Sequence, residues 1–148
     1  MKRLACILAA LLLLLLAGCA AHPQKIDVQT LADDLMNNAK FDEKPEELER
    51  SAISKHYGLD DSVEARAFTA SSTADEVCVV KAGSEKDAKA VYKLLQAHLD
   101  DLKESYANYQ PAEVTRLDRA ALRREGSCVV LLVSADEHPE EILDKYIG

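Results

Sequence analysis

Apolar positions along this chain follow three patterns: one unbroken run, stretches at helical spacing, and short blocks dense enough to be buried strands. The unbroken run is Leu4 to Leu16, with six consecutive leucines from Leu11 to Leu16. Beyond it, Val28, Leu31, Leu35 and Met36 recur at helical spacing, with Asp33, Asp34 and Asn37 turned away, which predicts an amphipathic helix over 26–38. Phe41-Asp42-Glu43-Lys44 breaks it. Pro45 fits the first turn of a second helix, where its missing N–H costs little. That helix carries Leu48, Ala52 and His56 every fourth residue, and Gly58 is its expected C-terminal cap.

The next pattern is strand-like. Residues 63–70 alternate loosely, and Glu76 to Lys81 is a denser block, so a hairpin across Ser71-Ser72-Thr73-Ala74-Asp75 is expected. Ser84-Glu85-Lys86-Asp87 resembles a capping box with Asp in place of the usual Glu or Gln. It opens a long helix to about Asn108, striped by Ala88, Val91, Leu95, His98, Leu99, Leu102 and Tyr106 and stopped by Pro111. Residues 112–117 read as a helical turn and 120–125 as a strand. A hairpin at Glu125-Gly126-Ser127 leads into the strand Cys128 to Val133. A last helix spans about 139–146.

The order is αα-ββα-ββα. It predicts an α+β fold: a four-stranded antiparallel sheet with helices packed on it. Val77–Val80 and Cys128–Val133 are apolar on both faces, unlike a strand with one wet face. The second face therefore requires a cover. The first two helices are the nearest candidates, and a partner protein or a second copy is the alternative.

The segment before residue 26 changes the picture from fold to address. Met1-Lys2-Arg3 is a positive start, the leucine run follows, and Leu16-Ala17-Gly18-Cys19 closes it. Charge, apolar stretch and small residues in that order read as an export signal. The last four residues match the bacterial lipobox, in which the Cys19 thiol accepts a diacylglycerol group and cleavage makes it the new N-terminus. The expected organisation is a signal peptide over 1–18, a lipidated tether over 19–25 and one domain over 26–148. The expected place is the extracytoplasmic face of a bacterial membrane, held through lipid on Cys19, since two or three acyl chains anchor firmly where one does not.

Charge and composition narrow the partners. The chain has 148 residues with 18 basic and 26 acidic side chains. Without residues 1–18, which hold Lys2 and Arg3 and no acid, the net charge falls from −8 to −10. Nucleic acid is excluded as a partner by that balance, because phosphate binding needs a basic face. Residues 27–61 are the most acidic part and suit a basic protein partner.

The lipobox, the acidic first helix, the Phe41-Asp42 break and the third helix ending in Ser105-Tyr106-Ala107-Asn108-Tyr109 form a recognisable series. A terminal Val-Val-Leu-Leu-Val strand follows, then Ser134-Ala135-Asp136 and a Pro-Glu-Glu helix. In this pattern and order the chain resembles a bacterial lipoprotein family catalogued as domain of unknown function 4358. The resemblance implies an α+β domain outside a bacterial membrane and brings no active-site residues with it.

Few residues suggest chemistry. Cys78 and Cys128 are either a disulfide or two buried thiols, each in an apolar run away from any base that would activate it. His98 interrupts an apolar stripe with Asp101 one turn away, a pairing that would orient an imidazole. The doublets Asp33-Asp34, Asp60-Asp61 and Asp100-Asp101 lack the alternating ligands and glycine of a calcium loop. Arg116, Arg119, Arg123 and Arg124 form one basic cluster, diluted by acids. No Gly-x-Ser-x-Gly, Ser-x-x-Lys, paired-Cys or i, i+4 His spacing occurs. The reading is a protein- or peptide-interaction module, not an enzyme, with no cofactor and no metal. Its rival is a small hydrolase or ligand-binding protein with a site near His98.

Overall fold

The computed structural model describes residues 26–147. The expected signal segment, Cys19 and the tether lie outside the described residues. The described elements run α1 (Val28–Asn38), β1 (Glu46–Glu47), α2 (Arg50–Tyr57), β2 (Glu64–Thr69), β3 (Glu76–Lys81), α3 (Glu85–Ala107), α4 (Pro111–Asp118), β4 (Ala121–Glu125), β5 (Cys128–Val133) and α5 (Pro139–Leu143). Among these residues no helix is long and apolar enough to cross a membrane.

Local chemistry sets the boundaries. Asp27 caps α1 by accepting from the Thr30 N–H at 2.8 Å. Ser84 caps α3 by accepting from the Asp87 N–H at 3.1 Å, and its hydroxyl donates back to the Asp87 carboxylate at 2.6 Å. The Ser84 half of the expected capping box forms, while Asp87 returns the contact to the Ser84 hydroxyl where a full box would take the Ser84 backbone N–H. Gly58 ends α2 at φ 68°, and Gly126 turns the β4–β5 hairpin at φ 55°, both in the left-handed region that favours glycine.

All strand pairs are antiparallel, in the order β1-β2-β3-β5-β4. The fold is α+β with helices packed on an antiparallel sheet, as expected, but the sheet has five strands and not four. The additional strand is β1. Pro45 does not start a helix. It leads an extended segment in which Glu46 pairs with Thr69 and Glu47 with Phe68 along the free edge of β2. A residue before proline is pushed toward extended backbone, which favours this outcome at Lys44. Glu46 and Glu47 stay exposed, and their charge protects the sheet edge from further pairing.

The sheet is covered on both sides. Cys78, Val80, Val129, Leu131 and Val133 meet Ile53 and Tyr57 of α2, Ala88, Val91, Leu95 and Leu99 of α3, and Leu117 of α4. Val77, Val79, Val130 and Leu132 meet Val28, Leu31, Ala32 and Leu35 of α1, with Ile142 and Leu143 of α5. The first helix covers the second face, as expected; the second helix does not, and its place is taken by α5. The need for a cover follows from magnitude: fully burying a Val or Leu side chain contributes roughly 1.5–3 kcal/mol. Four such residues on one face cannot be left in water.

Candidate functional site

Strand alternation places Glu76, Cys78 and Val80 on the face toward α2 and α3. Cys78 and Val80 join the apolar core there, while Glu76 heads the same stripe with a carboxylate only 3% exposed. On α3, His98 follows Leu95 by three positions and precedes Leu99, so it reaches the same end of the sheet. On α2, His56 and Tyr57 arrive on the last turn, just before Gly58 ends the helix.

These side chains meet. The His98 Nε2 lies 3.0 Å and 3.1 Å from the two Glu76 carboxylate oxygens, so a protonated Nε2 donates to both. The His56 Nε2 is 3.9 Å from Glu76 Oε1. One ligand atom from each of His56, Glu76 and His98 falls within a spread of 4.8 Å. The His56, Tyr57 and His98 rings stand edge-on to one another at 4.7–4.8 Å between centroids. The Tyr57 hydroxyl is buried against Glu76 and Cys78 without an aligned hydrogen bond to either. Burial pushes it well above its ordinary pKa, and the Glu76 charge adds to that. The inner edge of His56 is desolvated, which lowers its pKa; Glu76 pulls the other way and His98 lowers it further.

A second polar cluster lies next to the first. The buried Asp75 faces Arg116 at 2.6 Å, as an ion pair and not as an aligned hydrogen bond. Its other oxygen accepts from the Asp42 and Glu43 N–H groups, both at 3.0 Å, and from the Thr73 hydroxyl at 2.9 Å. Glu113 accepts from the Ala74 N–H at 2.7 Å and lies 3.5 Å from the Arg116 Nε. Asp42 completes the set on the Arg116 Nη2. Burial opposes the Arg116 charge, but Asp75, Asp42 and Glu113 outweigh it and raise its pKa.

Several sequence expectations change here. His98 is partnered by Glu76 and not by Asp101, which is exposed on the outer side of α3. The expectation of no metal-ligating group rested on short spacings; the fold assembles His56, Glu76 and His98 from three separate elements. Glu76 carries no local mark of a site residue in the sequence, where it reads as the polar start of a strand. The available signal was its place at the head of the Glu76, Cys78, Val80 alternation, on the face that the His98 stripe covers.

Cys78 and Cys128 are both free and buried. Register sets Cys78 opposite Leu131 and Cys128 opposite Lys81, and the two thiols belong to cores on opposite faces. Burial raises the Cys78 pKa well above the usual thiol value, helped by Glu76, and raises Cys128 to about 11. The arginines do not act as one cluster. Arg116 is buried in its network, Arg123 pairs with Asp144, and Arg124 donates to the Gly126 carbonyl. Of the acidic doublets, Asp33 is taken up by Arg66 at 2.5 Å and Asp60 accepts from Ser62.

A family model described as a domain of unknown function, DUF4358, matches residues 37–134. That span runs from the end of α1 to the residue after β5 and contains every member of both polar clusters. No curated protein and no solved structure matches the chain.

Proposed function

The chain belongs to the DUF4358 family, and on that premise we propose that it is a lipid-anchored, extracytoplasmic bacterial binding protein whose binding centre is the His56–Glu76–His98 cluster. The anchor part rests on Leu16-Ala17-Gly18-Cys19 and the leucine run before it. The binding part rests on one observation: a buried carboxylate whose close partners among the described residues are two imidazoles, one of them open to solvent. Removing a charge from water is costly unless it is paired, and an imidazole is a partner that is neutral for much of the ordinary pH range. Such a centre has an unmet demand for positive charge.

Binding is favoured over catalysis by the neighbours. The nucleophile-type groups beside the imidazoles, the Tyr57 hydroxyl and the Cys78 thiol, are buried and held protonated. The earlier idea of a peptide docking on the second sheet face loses its surface, because α1 and α5 occupy that face.

Fractionation of cells tests the anchor. Cys19→Ala should release the protein from membranes or leave it at precursor size. Mature-sized Cys19→Ala protein that stays fully with the membrane would overturn the anchor.

A further inference from the structure

Building on the reading of this cluster as a binding centre, we infer that His56, Glu76 and His98 form a site for a divalent late first-row transition-metal ion, best matched by Zn²⁺. Two imidazole nitrogens and one carboxylate are a donor set that suits zinc and its neighbours. Calcium and magnesium are poor matches, because they favour six or more oxygens or several retained waters.

The geometry is close to what an ion needs. Two ligands of a tetrahedral zinc, each about 2.0–2.2 Å from it, stand roughly 3.3–3.6 Å apart. The His98 and Glu76 atoms already stand 3.0–3.1 Å apart and all three ligand atoms lie within 4.8 Å of one another, so an inward closure of roughly 1 Å completes the set. His56 can supply it, since its side chain is 40% exposed while those of His98 and Glu76 are 10% and 3% exposed. The same exposure gives the ion a route in and leaves a coordination position toward water. An ion on His98 Nε2 would need that nitrogen's lone pair, so the ring would keep its proton on Nδ1: a neutral ring moves the proton there from Nε2, and an imidazolium releases one proton to solvent.

Two unmet demands point to the same place. Glu76 carries a buried carboxylate without a permanently charged partner among the described residues, whereas its neighbour Asp75 has Arg116. The Tyr57 hydroxyl is buried beside that carboxylate but not aligned in a hydrogen bond with it. Metal-ligating carboxylates are commonly held by such outer hydrogen bonds, and a shift of Glu76 onto an ion brings its second oxygen into play for Tyr57.

The test uses the full chain in detergent, stripped with a chelator and dialysed against Zn²⁺, with Co²⁺ as a visible-absorption probe. One ion per chain is expected. His56→Ala, His98→Ala and Glu76→Gln should each weaken binding at least as much as loss of an outer-shell partner does, roughly 10–100-fold. His138→Ala, on the exposed start of α5, should leave it unchanged. His56→Ala keeps the test decisive even where His98→Ala fails to fold, because His56 lies at the surface. Equal binding by wild type, His56→Ala and His98→Ala would overturn the site, as would absence of binding by wild type. In that last case, methylammonium titration read on the histidine ring protons separates the two readings. Shifts at His56 and His98 leave a binding centre for another cation and remove only the metal; unmoved signals remove both.

Discussion

Asp75 and Glu76 are consecutive, both are carboxylates, and both are buried, yet they face opposite circumstances. Asp75 meets a guanidinium, two backbone N–H groups and a hydroxyl. Glu76 meets two imidazoles and an unbonded phenol. The first is saturated by permanent charge and fixed donors, and it ties α4, the loop after α1 and the β2–β3 turn into one unit. The second is held only by groups whose charge depends on conditions. The contrast separates a structural ion cluster from one that is still able to take a ligand, and it does so by the identity of the partners, since burial is the same for both.

The largest effect should come from breaking the saturated side. Arg116→Ala strands Asp75 and Glu113 in the interior, and removing one member of a buried pair typically costs about 3–5 kcal/mol. Urea unfolding should show that loss; a change below about 1 kcal/mol would mean that the cluster is solvated. Glu76→Gln in metal-free protein should cost much less, about 1 kcal/mol, because the amide keeps the shape and an acceptor for His98. A loss as large as that of Arg116→Ala would make Glu76 a structural residue and erase the contrast.

Acid should loosen the saturated side further. Glu43 is lowered to about 2 from 4.5 by the Ser71 and Ser72 hydroxyls, reinforced by their backbone N–H groups. A carboxylate depressed in the folded state adds stability that is fully present above its unfolded pKa and lost as pH falls through the folded one. The stability gap between wild type and Glu43→Gln should therefore shrink as pH drops from about 4.5 to about 2. A constant gap across that window in pH-resolved denaturation would contradict the assignment. The smallest effect belongs to Tyr57→Phe in metal-free protein. Its hydroxyl lies against Glu76 and Cys78 without an aligned hydrogen bond, so stability should stay level or rise by up to about 1 kcal/mol. A clear loss would show that the hydroxyl is bonded after all.

What was legible in the sequence follows from the kind of signal involved. α1 and α3 carry apolar residues at helical spacing, and β3 and β5 are dense in Val and Leu, so periodicity alone finds them. β1 is two exposed glutamates, and its existence depends on the free edge of β2, which no local pattern encodes. His98 stood out because a polar residue in an apolar stripe violates its surroundings. Helix spacing offers Asp101 as its partner, while the actual carboxylate comes from a strand that only tertiary packing brings near. His56 looked like a boundary residue beside a helix cap, and one ring of a three-ring cluster carries no signature of the other two.

The second sheet face has a further consequence. Its cover comes from α1 and α5, which stand at opposite ends of the described chain and touch each other over the sheet. As the chain is synthesised, α1 appears first and finds no finished surface to lie on until β3, β5 and finally α5 have followed. Until then the Val and Leu side chains of that face are open to water and to other chains, the condition in which nascent proteins aggregate. The cover of that face is thus complete only once the last helix of the described chain has been made.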